Sequence, residues 1–286
     1  METTNPFSRR RAVEIPAGTL GYREVGSGQP VVLLHGLVAN ALAWRGVAPR
    51  LGDRARCIAP DWPLGSHTPA LPDADLTLPG QARIFVDLLD ALGLDDVVLI
   101  GNGYGGDVAQ VVTAEYPDRV KALVLMATNA FGSDPWAVKA LRWLSAPPGA
   151  GGLQALAMRR RFFQRLPITN GWVAKRPIPD DVMTSYLTPL CTDRLVRRDF
   201  HRFLRGLSTR FLAEASPRLA AFDGPALVVW PTEERVFPHE GALRLAEIMP
   251  NARLVSVDDS YSWIPEDQPD LLVELLSAFL DEVARP

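Results

Sequence analysis

The chain of 286 residues has few cysteines, no long apolar run and little net charge. Its two cysteines, Cys57 and Cys191, are far apart in sequence, which argues against a disulfide framework and predicts two reduced, half-buried thiols. No apolar run approaches the roughly 18 residues of a membrane span, and the first residues have no apolar signal core, which favours the cytoplasm. The net charge is −3, and Lys and Arg are scattered apart from a short run at 9–11. We therefore expect no nucleic-acid partner and no membrane partner.

What the sequence does contain is a series of short apolar runs bounded by turn residues. The predicted strands are 12–15, 20–25, 30–35, 56–60, 97–101, 122–127, 226–230 and 252–257. The predicted helices are 40–51, 79–93, 106–116, 240–249 and 269–283. Strands that first pair as a hairpin and then alternate with helices predict an α/β protein, in which a mostly parallel sheet is covered by helices on both faces.

The regular alternation breaks between about 129 and 217. This segment has helical patterns but no convincing strand, so we predict a helical cap at 129–216, inserted into a core formed by 1–128 and 217–286. The cap is rich in aromatic residues and would roof a cavity for a mostly apolar small molecule. We expect no cofactor and no metal ion.

A glycine-rich stretch at 101–106, "GNGYGG", has two possible interpretations. It satisfies G-x-G-x-x-G, the dinucleotide-binding fingerprint, and it also fits G-x-S-x-G with Gly103 in the place of the nucleophilic serine. A dinucleotide site needs an acidic residue about 20 positions later, at the end of the next strand. Here that strand ends in Ala127, Thr128 and Asn129, and the motif follows several earlier strands. The nucleotide interpretation is therefore disfavoured.

Six motifs occur in an order that resembles the α/β-hydrolase fold, especially its epoxide hydrolase and haloalkane dehalogenase branch. They are "LLHG" (33–36), Trp44, "APDWPLG" (59–65), "GNGYGG" (101–106), "VVWPTEERVFP" (228–238) and "DDSYSWIPEDQP" (258–269). The resemblance implies an α/β-hydrolase core with an inserted helical cap.

The same resemblance implies the positions of a catalytic triad. The nucleophile's position is Gly103, the acid's is Glu234, and the histidine's is Ser262. Glycine adopts the positive φ of the nucleophile turn without steric cost, but it has no side chain that could attack a substrate. The four histidines, at 35, 67, 201 and 239, all lie outside the last motif. A Ser-His-Asp relay cannot operate without its first two members.

Several groups of the family's site remain. The backbone N–H groups of Leu37 and Tyr104 are expected to form an oxyanion site, which does not depend on side chains. Glu234 and the phenol of Tyr104 are the candidate acid/base groups. Alternatives remain open, because Tyr104 could simply pack under the cap and Glu234 could pair with Arg235 or with a neighbouring arginine of the cap. The residues expected to line the substrate cavity are His35, Trp44, Trp136, Trp143, Tyr186, Phe237 and Trp263.

Three other polar residues are interpreted as structural. We expect Asp107 to complement the dipole of the helix after the glycine stretch and Asp61 to brace its own loop. His67 is expected to be a solvated loop histidine.

These observations favour an enzyme that has lost covalent catalysis and acts on a hydrophobic small molecule of the kind found in specialised metabolism. Epoxide opening, cyclisation, elimination and rearrangement all suit orientation with acid/base help. Two alternatives stay open: a non-catalytic ligand-binding or scaffolding protein, and an ordinary hydrolase whose nucleophile has been replaced by Gly103.

Overall fold

The structure is a computed structural model that describes residues 7, 9–133, 139–140, 143, 153, 156–157, 160–164, 166 and 170–285. Its strands are β1 (Arg10–Ile15), β2 (Gly18–Val25), β3 (Pro30–Leu34), β4 (Arg56–Pro60), β5 (Val97–Asn102), β6 (Val120–Met126), β7 (Ala226–Pro231) and β8 (Ala252–Val257). They form one sheet in the order β1-β2-β4-β3-β5-β6-β7-β8. The pairs β1–β2 and β2–β4 are antiparallel, and the other neighbours are parallel. The predicted mostly parallel α/β sheet is confirmed.

The helices cover both faces of this sheet. In chain order they are α1 (Ala48–Leu51), α2 (Leu78–Leu92), α3 (Tyr104–Glu115), α4 (Arg161–Gln164), α5 (Asp180–Thr192), α6 (Arg194–Gly206), α7 (Thr209–Arg218), α8 (His239–Ile248), α9 (Ile264–Asp267) and α10 (Pro269–Val283). Side chains of β5 alternate between two apolar clusters, because successive residues of a strand point to opposite faces. Leu99 joins the cluster that includes α2 and α3, whereas Val98 and Ile100 join the one that includes α1 and α10.

The predicted helix at 40–51 is wrong in form. The structure has a 3₁₀ turn at Ala41–Trp44 and then the four-residue helix α1. Gly46 and Pro49 explain the break, because glycine weakens a helix and proline suits only its first turn.

The described residues between β6 and β7 are helical or irregular and contain no strand. This is the segment predicted as a cap, and its limits at 129 and 216 stay predictions. The two cysteines are free thiols, as predicted, although Cys57 is fully buried. Within the described ranges, no helix is both long and apolar enough to cross a membrane.

Candidate active site

The candidate site centres on the sharp turn between β5 and α3. Gly103 occupies this turn with φ 58° and ψ −126°, and Tyr104 begins the helix. The Gly103 N–H donates to the Met126 carbonyl at 3.0 Å, which fixes the turn against β6. A positive φ with this ψ is sparsely populated for residues with a side chain, so the conformation is strained for anything but glycine.

The glycines of the turn are required for different reasons. A Cβ on Gly101 would lie 2.5 Å from the Gly105 carbonyl oxygen, and one on Gly105 would lie 2.4 Å from the Leu34 carbonyl oxygen. Strand and helix approach too closely there for any side chain. A Cβ on Gly103 would meet only the Gly36 Cα, at 3.5 Å, which is ordinary contact. Position 103 therefore has room for a side chain.

Glu234 and Ser262 are in direct contact. The Ser262 hydroxyl donates to Glu234 Oε1 at 2.7 Å. The same oxygen accepts the N–H groups of Arg235, Val236 and Phe237 at 2.9, 2.7 and 3.1 Å. Oε2 is buried and has no partner among the described residues. Burial raises the pKa of Glu234, although the hydrogen bonds to its carboxylate oppose the rise.

The alternative in which Glu234 pairs with Arg235 is not what the structure shows. The Arg235 guanidinium lies over the Tyr261 ring, 4.0 Å from its centroid. Arg235 contributes only its backbone N–H to the carboxylate. Glu234 makes no ion pair within the part of the chain that the structure describes.

Asn102 joins the turn to the Ser262 loop, a role that the sequence analysis missed. Its side-chain amide donates to the carbonyls of Ser262 at 2.8 Å and Met126 at 3.1 Å. The residue is buried. Its place just before Gly103 in the glycine motif was the only sequence signal. Through Asn102, the 101–106 turn and the Glu234–Ser262 pair belong to one hydrogen-bonded network.

The predicted oxyanion site uses two backbone N–H groups, those of Leu37 and Tyr104. The Leu37 N–H donates no hydrogen bond within the described ranges, whereas the next N–H, from Val38, bonds the Leu64 carbonyl at 2.9 Å. Tyr104 stands at the N-terminus of α3, where the helix dipole favours negative charge. The Tyr104 ring is 5% exposed and packs edge-to-face on Phe203 of α6, with centroids 5.8 Å apart. Whether these groups bind a ligand stays a prediction.

His35 supports the turn that carries Leu37 and does not have a side-chain nitrogen left for the expected ligand contact. Its Nδ1 donates to the Gly36 carbonyl at 2.8 Å, and its Nε2 accepts the Trp62 N–H at 2.8 Å. Burial lowers the pKa of His35 to about 4, so the ring is neutral near pH 7. Its role is to hold two loops together.

The aromatic residues expected around the substrate fall into three groups. Trp44 and Tyr186 are completely buried, and the Tyr186 hydroxyl donates to Glu266 Oε1 at 3.0 Å; their place in a cavity wall stays a prediction. Trp143 is 77% exposed, and its neighbours in the chain lie outside the described residues, so its expected contact with the substrate stays a prediction. Phe237 and Trp263 are nearly buried beside the site, and these two stay candidates. Trp136 lies outside the described residues.

The remaining polar candidates have structural partners. Asp107 accepts the Thr128 hydroxyl and the side-chain and backbone N–H groups of Asn129, at 2.7, 2.6 and 3.1 Å. Burial raises the pKa of Asp107 to about 7. Asp61 braces its loop as expected, since it accepts Arg10 Nε at 2.6 Å and the Ala41 N–H at 3.1 Å.

The prediction of a solvated His67 is wrong. The ring is 1% exposed, and its Nε2 lies 3.3 Å from a carboxylate oxygen of Asp199 on α6. The loop after β4 is covered by α6, which the sequence pattern did not indicate. In the described ranges, no group of His, Cys, Asp and Glu side chains is arranged to hold a metal ion.

An open groove of about 470 Å³ reaches Glu234 from the β7–α8 loop. Its lining residues are Pro231, Thr232, Glu234, Arg235, Val236, Phe237, Pro238, His239 and Ser256. A cavity that also includes the 101–106 turn and the cap stays a prediction, because much of 134–169 lies outside the described residues.

Comparisons with known proteins agree with this architecture. A sequence model of the alpha/beta hydrolase fold matches residues 29–157. The chain is 29% identical over 260 residues to haloalkane dehalogenase 2 of Mycobacterium tuberculosis strain H37Rv, with 88% of each chain covered. It is 25% identical over 297 residues to the cis-3-alkyl-4-alkyloxetan-2-one decarboxylase of Shewanella oneidensis, with 99% of this chain and 91% of that protein covered.

A solved structure extends the agreement to three dimensions. The haloalkane dehalogenase from Bradyrhizobium elkani superposes with a TM-score of 0.80 at 20% identity, covering 96% of this chain and 98% of that one. The sheet order, the turn at Gly103 and these matches define an α/β-hydrolase fold. The chain therefore has the α/β-hydrolase fold and is similar to haloalkane dehalogenases and related proteins, and the relatives named here are enzymes.

Proposed function

We propose that this protein is an enzyme that acts on a hydrophobic small molecule without forming a covalent intermediate. The observation that carries the proposal is the combination of Gly103 at the strand-to-helix turn with Ser262 in hydrogen-bond contact with Glu234. Gly103, at the nucleophile's position, offers no atom for nucleophilic attack. The acid keeps a hydroxyl partner where the family resemblance places a histidine.

Glu234 would supply the acid/base chemistry. Because Oε1 accepts four hydrogen bonds, a proton on this carboxyl would be held at Oε2, which has no partner among the described residues. The raised pKa favours the protonated form at higher pH than is usual for glutamate. A protonated Glu234 would donate to a ligand oxygen, such as that of an epoxide or a strained lactone.

The 101–106 turn would orient the ligand and stabilise negative charge. The Gly36 Cα, next to Leu37 in the chain, lies 3.5 Å from a Cβ built on Gly103, and α3 begins at the following residue, Tyr104. Because a nucleophile side chain is absent, the space beside Gly103 would be open to the ligand. The decarboxylase of Shewanella oneidensis supports the idea that this fold hosts reactions other than hydrolysis, although its reaction is not assigned to this chain.

The test is turnover of a panel of apolar epoxides and β-lactones by three variants. Glu234→Gln and Tyr104→Phe preserve shape and remove a proton, and each should lower kcat by roughly tenfold or more with little change in KM. Glu233→Gln is the matched control, since Glu233 is the exposed neighbour that pairs with Lys175 at 2.5 Å. If no panel compound turns over but one binds saturably, the non-catalytic alternative is correct.

The third alternative, a hydrolase that has lost its nucleophile, has its own test. Gly103→Asp combined with Ser262→His restores both side chains, and the room at position 103 permits the first. Hydrolysis of haloalkanes by this double variant, at a rate that exceeds turnover of every panel compound by wild type, would favour that alternative. Failure to hydrolyse them, with the fold intact by circular dichroism, would favour the proposed function.

A further inference from the structure

Helix α6 has two faces of different character. Its inner face is buried and consists of Val196, Asp199, Phe200, Phe203 and Leu204. Its outer face carries four basic residues at i, i+4, i+7 and i+11, the spacing that aligns side chains along one side of a helix. They are Arg194, Arg198, His201 and Arg205, of which the arginines are exposed and the histidine is half-buried. These four residues form a row about 16 Å long, which we call the basic row.

The basic row has no acidic partner in the described part of the chain. Its three arginines form no ion pair and no side-chain hydrogen bond with any described residue. Two other arginines of α6, Arg197 and Arg202, are used within the fold, since each donates to backbone carbonyls of neighbouring segments. The basic row is therefore not needed to hold α6 in place.

The arginines of the row do not favour the helix itself. Arg194 is the first residue of α6, where the helix dipole favours negative charge. Arg194 and Arg198 are four residues apart, so their like charges repel. The carboxylate of the N-cap, Asp193, accepts the Leu195 and Val196 N–H groups and forms no ion pair with Arg194. A row of cations that opposes the helix dipole and has no partner in the fold indicates a binding surface.

The composition of the outer face restricts the class of partner. Leu195, at 48%, is the only large apolar side chain exposed on α6, which is described throughout. The face therefore lacks the apolar surface with which an interfacial helix enters a bilayer. Nucleic acid is disfavoured because Asp and Glu outnumber Lys and Arg in the chain, 33 to 30. These two exclusions favour an acidic protein surface.

A second copy of the chain matches the basic row poorly. Helix α10 exposes Asp270, Glu274 and Asp281 at the same i, i+4 and i+11 spacing. However, Asp270 and Asp281 already pair with Arg50 and Arg54 of their own chain. An acidic helix of another protein has the same repeat along its axis and no competing arginine, so its carboxylates can meet the whole row.

We propose that the basic row on the outer face of α6 binds an acidic helix of a partner protein. The inner face of the same helix reaches the candidate site, because Phe203 packs on Tyr104 with ring centroids 5.8 Å apart. A partner docked on α6 would therefore lie about 10 Å, one helix diameter, from the candidate site. This inference is independent of the proposed function.

The test is fluorescence anisotropy of a labelled helical peptide with Glu at i, i+4, i+7 and i+11, titrated with the full chain. Saturable binding is expected, and it should weaken as salt is raised. A peptide of the same composition, with its Glu residues distributed around the helix, should bind about fivefold or more weakly.

Arg194→Glu separates binding from a structural role. It should weaken peptide binding by about fivefold or more. Its melting temperature should stay the same or rise, because a carboxylate suits the first turn of a helix and Arg198 follows four residues later. Arg198→Gln combined with Arg205→Gln is a second variant with the same expected loss of binding. Arg285→Glu is the matched control, since Arg285 is exposed after α10 and its side chain has no partner among the described residues.

Several results would overturn the proposal. They are no saturable binding of the peptide, equal binding of the peptide with redistributed Glu residues, no effect of Arg194→Glu, and equal weakening by Arg285→Glu. Sedimentation with phosphatidylglycerol vesicles that Arg194→Glu abolishes would identify a bilayer as the true occupant. Self-association in light scattering that the same variant abolishes would identify a second copy.

Discussion

At the scale of single residues, the two oxygens of Glu234 differ in environment. Oε1 is saturated with hydrogen bonds, and Oε2 is buried without a partner among the described residues. If the protonated carboxyl is the active form, kcat should fall as pH rises through the raised pKa of Glu234. Glu234→Gln should remove that limb of the pH–rate profile. An unchanged profile in the Gln variant would show that another group is responsible.

The raised pKa of Asp107 predicts how the free energy of unfolding depends on pH. Its pKa is about 7 in the folded protein and 3.8 ordinarily, so the folded state binds more protons between these values. The Asp107 contribution to the free energy of unfolding should therefore be full near pH 4. It should be lost as pH rises towards 7, by at most about 1.4 kcal/mol per pH unit. Urea denaturation across this range measures the slope.

Asp107→Asn isolates that contribution. The contribution of His35 changes with pH in the opposite direction, because its lowered pKa makes the free energy of unfolding rise between about pH 4 and 6.5. Subtracting the free energy of unfolding of the Asn variant from that of the wild type cancels the contribution of His35 and leaves that of Asp107. The difference should decrease with pH, and a difference that is constant with pH would contradict the raised pKa.

The sequence predicted some of these residues better than others. Glu234 and Ser262 lie in two motifs far apart in the chain, and their 2.7 Å contact follows the family resemblance. The role of His35 could not be predicted, because the pattern does not show that the Trp62 N–H donates to its ring. Asn102 was missed since a buried amide and an exposed amide look alike in sequence.

At the scale of elements, glycine substitutions distinguish backbone strain from steric crowding in the turn between β5 and α3. Gly93, just after α2, is a reference position outside this turn. Gly103→Ala and Gly93→Ala both place a Cβ at positive φ with no backbone atom closer than 3.5 Å. Each should destabilise by about 1–3 kcal/mol. Gly105→Ala forces a Cβ within 2.4 Å of the Leu34 carbonyl oxygen and should cost more than either. Thermal unfolding gives the order, and a Gly105→Ala variant as stable as Gly93→Ala would contradict the close approach.

Element types were easier to predict than their limits. The eight predicted strands are confirmed. The run of β5 was easy to predict because it is apolar and buried along its whole length, as expected of a strand covered on both faces. The helix predicted at 40–51 was wrong because the apolar periodicity continues across Gly46 and Pro49, whereas the helical conformation of the backbone is interrupted there.

At the scale of the whole molecule, the order of the motifs predicted the architecture. Their loops meet at the carboxyl edge of one sheet, where ligands bind in open α/β folds. The packing of the cap could not be predicted in the same way. The contacts of His67 with Asp199 and of Tyr186 with Glu266 join residues 80 or more positions apart, and no local pattern encodes them.

The proposed function requires that this site react without a covalent intermediate. Intact-mass spectrometry after incubation with activated esters, fluorophosphonates and alkyl halides detects such an intermediate, with Gly103→Asp combined with Ser262→His as the comparison variant. The wild-type chain should keep its unmodified mass with every reagent, because Gly103 has no nucleophilic atom. A stoichiometric adduct on the wild-type protein, mapped to residues 101–106, would contradict the proposed function.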